Sequence, residues 1–221
     1  MAVVKKHDFV EIEYTGRIKE DNTIFDTTEE NVAKENGIYD KNADYSPSVV
    51  CIGENHILKG LEEQMIGKEA GKEYTFEIIA DNAFGRKDAK LIQLIPTNKF
   101  RQQNIQPMPG LQLNIDGMFG IIKTVSGGRC LVDFNHPLAG KDLVYKVKIN
   151  RIVDDDKEKL NSLLKIHLHV KDAEIEMKEN SVDIKSNHSI PNQAQEEFRN
   201  IVNRVVPSIK KVDFTILEEK K

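Results

Sequence analysis

The 221-residue chain has no tryptophan, only two cysteines and an aromatic content of 6%. Cys51 and Cys130 lie far apart, which suits neither a disulfide framework nor a metal-ligand spacing. Each is expected to behave as a small buried residue. No apolar run is long enough to span a bilayer. The opening residues Met-Ala-Val-Val-Lys-Lys-His are too short and too polar for a signal peptide, so a cytoplasmic protein is the simplest expectation. Charge of one sign is lacking too: the net charge of −4 leaves no footprint for nucleic acid. There is no Ser/His/Asp set, no C-x-x-C, no phosphate-cradling glycine loop, no internal repeat and no low-complexity tail. What remains, 31% charged and 39% apolar residues, suits a soluble globular protein of one large domain or two to three small ones.

Residues 9–14 (FVEIEY) alternate, with Phe9, Glu11 and Glu13 on one face and Val10, Ile12 and Tyr14 on the other. This predicts a half-buried strand. Thr15-Gly16 allows a bend or bulge, and Glu20-Asp21-Asn22 turns the chain into residues 23–28 (TIFDTT). Residues 29–48 are polar and read as a solvated loop, with Tyr45 and Pro47 packing near its exit. Residues 51–67 (CIGENHILKGLEEQMIG) read as a strand end, a turn and a short helix capped by Asn55, with Ile57, Leu58, Leu61 and Met65 on one apolar face. Residues 73–80 form a further strand. The next 50 residues are too long for a structureless loop and carry strand signals of their own at 111–115, 121–125 and 130–134. They also hold a helical turn at 97–100 and a hairpin at Ser126-Gly127-Gly128. Residues 142–151 return as a strand. Asp154-Asp155-Asp156-Lys157 is read as a charged boundary. Beyond it, strands are expected at 165–170, 173–178 and 181–185. A helix should follow with Phe198, Ile201, Val202 and Val205 on one face, and then a strand through Val212, Phe214 and Ile216.

In order, the stretches VEIEYTGRIKEDNTIFDTT, the IG-x-x-HILKGLE-x-x-M helix, the DNAFG segment and the hexapeptide NHPLAG at 135–140 resemble SlyD-like, long-type FKBP peptidyl-prolyl cis-trans isomerases. More closely, they resemble the archaeal long form with an extra carboxy-terminal domain. The resemblance covers residues 3 to about 153. It implies an α+β fold: an antiparallel sheet wrapped on a short helix, a β-rich domain inserted in the flap and a small α+β carboxy-terminal domain. The expected division is 1–86 with 137–153 for the isomerase, 87–136 for an insert-in-flap chaperone domain and 154–221 for an association domain. Bacterial relatives end in a His- and Cys-rich metal-binding tail. This chain ends in Glu218-Glu219-Lys220-Lys221, so that role is not transferred. His167 and His169 share one face of an expected strand and are the one pair that could hold a metal, although exposed or partly packed side chains fit them as well.

The resemblance assigns catalysis to Tyr14, Asp26 and Tyr145, and substrate contact to Phe25, Ile52, Ile57, Leu58, Leu61, Phe84 and Leu138. The Ile57 N–H is the expected donor to a peptide carbonyl. Leu61 stands where short members have tryptophan, and Phe84 where tyrosine is usual. No cofactor or metal is implied, because a dry apolar pocket suffices. The barrier to X–Pro rotation, about 18–20 kcal/mol, reflects amide resonance, and an apolar site favours the twisted, less conjugated amide over the planar one. Asp26 either favours the developing charge or holds Tyr14 in place.

Residues 87–136 hold six basic and three acidic residues and place Met108, Met118 and Phe119 near turns. A flexible, Met-bearing apolar surface suits promiscuous binding of unfolded chains. The expected function is therefore X–Pro isomerisation in unfolded or partly folded proteins, with holdase activity from the insert and a homodimer through the carboxy-terminal domain. The alternative is a catalytically weak holdase or adaptor on the same scaffold. Neither nucleic acid nor membrane is an expected partner.

Overall fold

The computed structural model describes residues 2–216. In chain order the elements are β1 (Phe9–Ile18), β2 (Ile24–Thr27), α1 (Glu30–Glu35), β3 (Ser48–Cys51), α2 (Lys59–Met65) and β4 (Lys72–Ile78). There follow β5 (Ile92–Pro96), α3 (Thr97–Gln102), β6 (Gln112–Ile115), β7 (Met118–Ser126) and β8 (Arg129–Asp133). The last group is β9 (Leu143–Val153), α4 (Asp156–Leu163), a π-helical turn (Leu164–Leu168), β10 (Glu174–Lys178), β11 (Ser181–Ser186), α5 (Asn192–Val205) and β12 (Lys211–Ile216). These elements form two compact units, Met1–Glu77 with Val144–Lys221, and Ile78–Leu143.

In the first unit β1 lies inside a five-stranded sheet of order β2-β1-β9-β4, with β3 also on β1. The first half of β1 pairs antiparallel with β3 (Phe9 with Cys51, Ile12 with Ser48). Its second half pairs antiparallel with β2 (Thr15 with Thr27, Gly16 with Asp26). The expected irregularity is present as a register shift at Gly16/Arg17. Between the two partners the Tyr14 backbone is tied to Thr28: the Tyr14 N–H donates to Thr28 Oγ1 at 2.8 Å, and the Thr28 N–H donates back to the Tyr14 carbonyl at 2.9 Å.

The expectation that β1 is half-buried needs correction at its start. Val10 and Ile12 are buried as expected, but Phe9 on the opposite face is buried as well. The reason is the chain after residue 154. Phe9 and Cys51 belong to one hydrophobic core with Leu160, Leu163, Val182, Ile184, Phe198 and Val202, so both faces of β1 are covered there. On the same strand Glu11 accepts from Arg151 at 2.7 Å.

The segment after residue 154 differs from its expected βββαβ order. Asp154-Asp155-Asp156 is not a break, because Asp155 caps α4 by accepting from the Glu158 N–H at 2.9 Å. Such a cap is worth about 0.5–2 kcal/mol. Leu160, Leu163 and Leu164 then recur at helical spacing and are buried, which carries the helix through 165–168, where a strand was expected. The remaining elements stand as predicted. β10 and β11 pair antiparallel, β11 and β12 pair parallel, and α5, the connection between the parallel pair, buries Phe198, Val202 and Val205. The loop expected at 29–48 contains α1, and Tyr45 stacks on Tyr39 at 5.5 Å.

The second unit carries a four-stranded sheet of order β5-β8-β7-β6, antiparallel throughout. Its core is small: Ile95, Phe100, Ile122, Cys130 and Val132. At Gly120 an added Cβ would come within 2.8 Å of Phe134 and Val132, so only glycine lets β7 lie this close to that core. The hexapeptide 135–140 joins the two connecting segments of this unit. The Asn135 side chain accepts from the Asp88 N–H at 2.8 Å and donates to the Asp88 carbonyl and to Asp133. The Gly140 N–H donates to the Gly85 carbonyl at 2.7 Å. Lys87 pairs with the buried Asp133 at 2.8 Å, which with the Asn135 bonds holds that carboxyl down at about 2 against the pull of burial.

Candidate functional site

Four of the expected residues meet in the first unit. Tyr14 from β1, Phe25 and Asp26 from β2 and Tyr145 from β9 come together there. The Tyr145 ring lies 5.9 Å from the Tyr14 ring, tilted by 54°, and takes the edge of Phe25 at 5.8 Å and 83°. Such tilted and edge-on pairs contribute about 0.5–1.5 kcal/mol beyond their buried area. The Tyr14 hydroxyl donates to Asp26 Oδ2 at 3.1 Å. Burial, and then the Asp26 charge, push the ionisation of both tyrosines far up, so both remain neutral donors. Asp26 is open along one side, yet desolvation of its carboxyl raises its pKa; hydrogen bonds from Tyr14 and the Thr27 N–H oppose that rise without cancelling it.

Gly16 was read only as a bend. It is also what lets the aromatic group assemble: a Cβ there would stand 2.9 Å from both Phe25 Cζ and Tyr145 Cε1. A glycine inside an otherwise β-forming strand was the available signal.

The loop that carries Ile57 and Leu58 differs from expectation. Asn55 does not cap the helix; it occupies a left-handed turn position (φ 57°). α2 begins at Lys59, and Leu58 is its N-cap residue. Ile57 and Leu58 therefore precede the helix, while Leu61 and Met65 lie on it, fully buried. The turn is held from below by the buried Glu62 of α2. Its carboxylate accepts from the Gly53 and His56 N–H groups, each at 3.1 Å. Among the described residues the Ile57 N–H has no acceptor. Ile52 and Leu61, at 0% and 1% exposure, have no open surface.

A second relation in this unit was absent from the sequence reading. His56 Nδ1 accepts from the Cys51 N–H at 3.0 Å, and its Nε2 lies 3.0 Å from Nε2 of His167 on the π-helical turn. One ring donates and the other accepts, so the pair is neutral. Burial pulls His56 down to about 4, His167 is lowered by the same cause, and burial pushes the Cys51 thiol up to about 12. His167 and His169 do not share a strand face: His169 ends the π-helical turn in a left-handed conformation. Among the described residues no group of three or more His, Cys, Asp or Glu could hold a metal.

Tyr14 and Ile57 also line a cavity of about 590 Å³ whose other walls come from the loop before β3 and from α4 and the residues after it.

In the second unit Phe84 stacks flat on His136, with centroids 4.3 Å apart and planes at 4°, and Leu138 is half-buried. Met108, Met118 and Phe119 are 55%, 44% and 47% exposed, and Leu94 of β5 is open as well. Ile121 is half-buried, whereas Ile122 and Val132 fill the core.

Comparisons with known proteins identify the family. A family model described as FKBP26, IF domain, matches residues 93–138. The chain is 34% identical over 156 residues to the short-type peptidyl-prolyl cis-trans isomerase of Methanocaldococcus jannaschii, covering 71% of this chain and 98% of that one. It is 34% identical over 121 residues to a probable FKBP-type 16 kDa peptidyl-prolyl cis-trans isomerase of Pseudomonas fluorescens, covering 52% and 79%. It is 28% identical over 135 residues to the FKBP-type isomerase SlyD of Vibrio cholerae, covering 59% and 66%. A relative matched over nearly its whole length, together with the aromatic group that closes on Asp26, means that the chain belongs to the FKBP-type peptidyl-prolyl cis-trans isomerases.

Proposed function

We propose that the enzyme isomerises X–Pro bonds in unfolded or partly folded proteins, with the proline ring against Tyr14, Phe25 and Tyr145. The observation that carries this reading is the Tyr14–Asp26 hydrogen bond beneath the Tyr145 ring. It ties the carboxylate of the site to an aromatic wall. A substrate amide entering there exchanges water for ring faces, and the twisted amide, with its weaker dipole, loses least by the exchange. In this reading the Ile57 N–H, which has no acceptor among the described residues, takes a peptide carbonyl. Asp26 is a positioning residue in this account: it holds Tyr14 and keeps the hydroxyl from the amide. Phe25 and Leu58 complete the apolar surroundings from this unit, with the buried Ile52 and Leu61 behind them. A protease-coupled assay on a short prolyl peptide tests it; absence of any acceleration would leave only the scaffold role.

Residues 87–136 act, in this proposal, as a chaperone module that holds clients by Met108, Met118 and Phe119 and raises the effective concentration of prolyl bonds at the site. The open apolar side chains around a core of five buried residues support it. Replacement of 87–136 by a short flap should spare tetrapeptide activity and remove most activity on refolding proteins. The same exposure supports the second reading, a holdase with weak catalysis, and the tetrapeptide assay separates the two.

The segment from 154 onward is proposed to associate into a homodimer in the cytoplasm. β10 and β12 are the edges of its three-stranded sheet, with Met177 and Ile216 open on them, and such edges pair readily. Light scattering of the full chain decides it.

A further inference from the structure

The cavity beside the prolyl site is bounded on one side by Tyr14 and Ile57 and on the other by Asn161, Ser162, Ile166 and Lys171. At about 590 Å³ it falls within the range of ligand pockets, roughly 300–1,000 Å³. It has apolar wall (Ile57, Ile166), hydrogen-bonding groups (Asn161, Ser162) and charge. The residues after 154 therefore do more than cover Phe9. They build the far wall of a groove that begins at two residues of the prolyl site.

Two carboxylates, Asp44 and Glu158, and two lysines, Lys165 and Lys171, line the groove, but they do not pair one to one. Asp44 is held by Lys165 and accepts from the Ser46 hydroxyl at 2.7 Å. Glu158 is held by Arg151, whose Nη1 donates to Oε2 at 3.1 Å. Each carboxylate thus has a cation, Arg151 being shared between Glu158 and Glu11. Lys171 is the cation left over: it makes no ion pair among the described residues, and it is close enough to Asp44 to help hold that carboxyl in its charged form.

The far wall is also fastened to the near one. His167 of the π-helical turn bonds His56, the residue before Ile57, at 3.0 Å. Arg204 Nε of α5 donates to the buried Glu54 at 3.1 Å in the same turn. Groove and prolyl site thus share one rigid piece of backbone.

We propose that this groove is a subsite for the polypeptide on one flank of the isomerised X–Pro bond, and that Lys171 makes it selective for an acidic side chain there. The proposal rests on the placement of the prolyl site at Tyr14, Asp26 and Tyr145. An extended chain advances about 3.3 Å per residue, so a chain leaving Ile57 reaches the α4 wall within a few residues. A tetrapeptide confined to the prolyl pocket leaves most of the groove empty.

The test uses the full chain and nine-residue peptides with one central Ala-Pro bond, measured by exchange NMR, with Glu, Ala or Lys two to five positions before or after proline. On one flank the Glu peptide should show a KM about two- to fivefold below the Lys peptide, as expected of an exposed charge contact. The difference should vanish in 1 M salt. Lys171→Glu should invert the preference and leave tetrapeptide turnover unchanged. Asn161→Trp, which fills the groove without touching a charge, should raise KM for every nine-residue peptide and spare the tetrapeptide. If tetrapeptide turnover is normal but Glu and Lys peptides bind alike, or if the preference survives Lys171→Glu, the subsite is refuted while the isomerase reading stands. If the tetrapeptide is not turned over, the prolyl site itself is misplaced. If Asn161→Trp changes the mass by light scattering and no KM, the groove holds a second copy of the chain, and the proposal falls.

Discussion

The backbone of Gly16 stands so close to Tyr145 that a single methyl group would reach 2.9 Å from its ring. Neither neighbour can swing away cheaply. Tyr145 is buried, and the Phe25 ring sits edge-on to it. Gly16→Ala is therefore expected to destabilise the fold by about 1–3 kcal/mol, as overpacking does, and to lower turnover of a prolyl tetrapeptide. Urea unfolding read beside the coupled assay checks both. Unchanged values would mean that β1 shifts to accept the methyl.

Asp26→Ala removes the acceptor of the Tyr14 hydroxyl. The side chain lies at an open edge, so stability should fall by about 1 kcal/mol or less, whereas kcat/KM should fall roughly tenfold. Tyr14→Phe should have a similar effect, and the double variant should be little worse than either single one, because the two groups act as one unit. Additive losses would separate their roles.

His56 and His167 give a pH dependence whose sign follows from their environment. Both are lowered from the ordinary histidine value by burial, His56 to about 4. The unfolded chain therefore takes up protons first as pH falls. The contribution of the neutral pair is present above about pH 6.5 and is lost toward pH 4, on the order of 1–3 kcal/mol. Glu54, near both rings, favours their charged forms, while Arg204 near His167 opposes it. Asp26, whose carboxyl is raised, runs the other way above its ordinary pKa, and the histidine contribution is read in the window from 6.5 down to 5. Urea midpoints should drop across it, and His167→Gln should flatten that slope.

Met118→Ser with Phe119→Ser tests the insert without deleting it. Both side chains are about half exposed, so stability should change by no more than about 0.5 kcal/mol, and tetrapeptide turnover should not change. Acceleration of a slow, proline-limited refolding reaction should weaken several-fold. A full rate on the refolding protein would place client binding elsewhere.

The parts that could be read from the sequence are those whose signals are local. Alternation in β1, the glycine turns of the insert and the apolar stripe through Phe198 and Val202 each specify an element without help from distant residues. The errors came where tertiary contact decides. Residues 165–170 alternate like a strand, but Leu160, Leu163 and Leu164 had already set a helical period, and the core that receives them carries the helix on. Asp155 resembled a linker because three acids in a row suit solvent; as an N-cap it needs only one of them. At the site, Tyr14, Asp26 and Tyr145 were recognisable by motif. The His56–His167 pair was not, because its partners are over a hundred residues apart and no periodicity links them.

Phe9 is made long before Phe198, yet they lie in one core. At about 5–20 residues per second of synthesis, β1 waits on the order of ten to forty seconds before its second face can be covered. Its neighbour β9 also arrives only after the whole of the second unit. During that interval Phe9 on β1 and Cys51 on β3 stay open to solvent. The enzyme thus carries a long exposure of its own, set by the order in which these segments leave the ribosome.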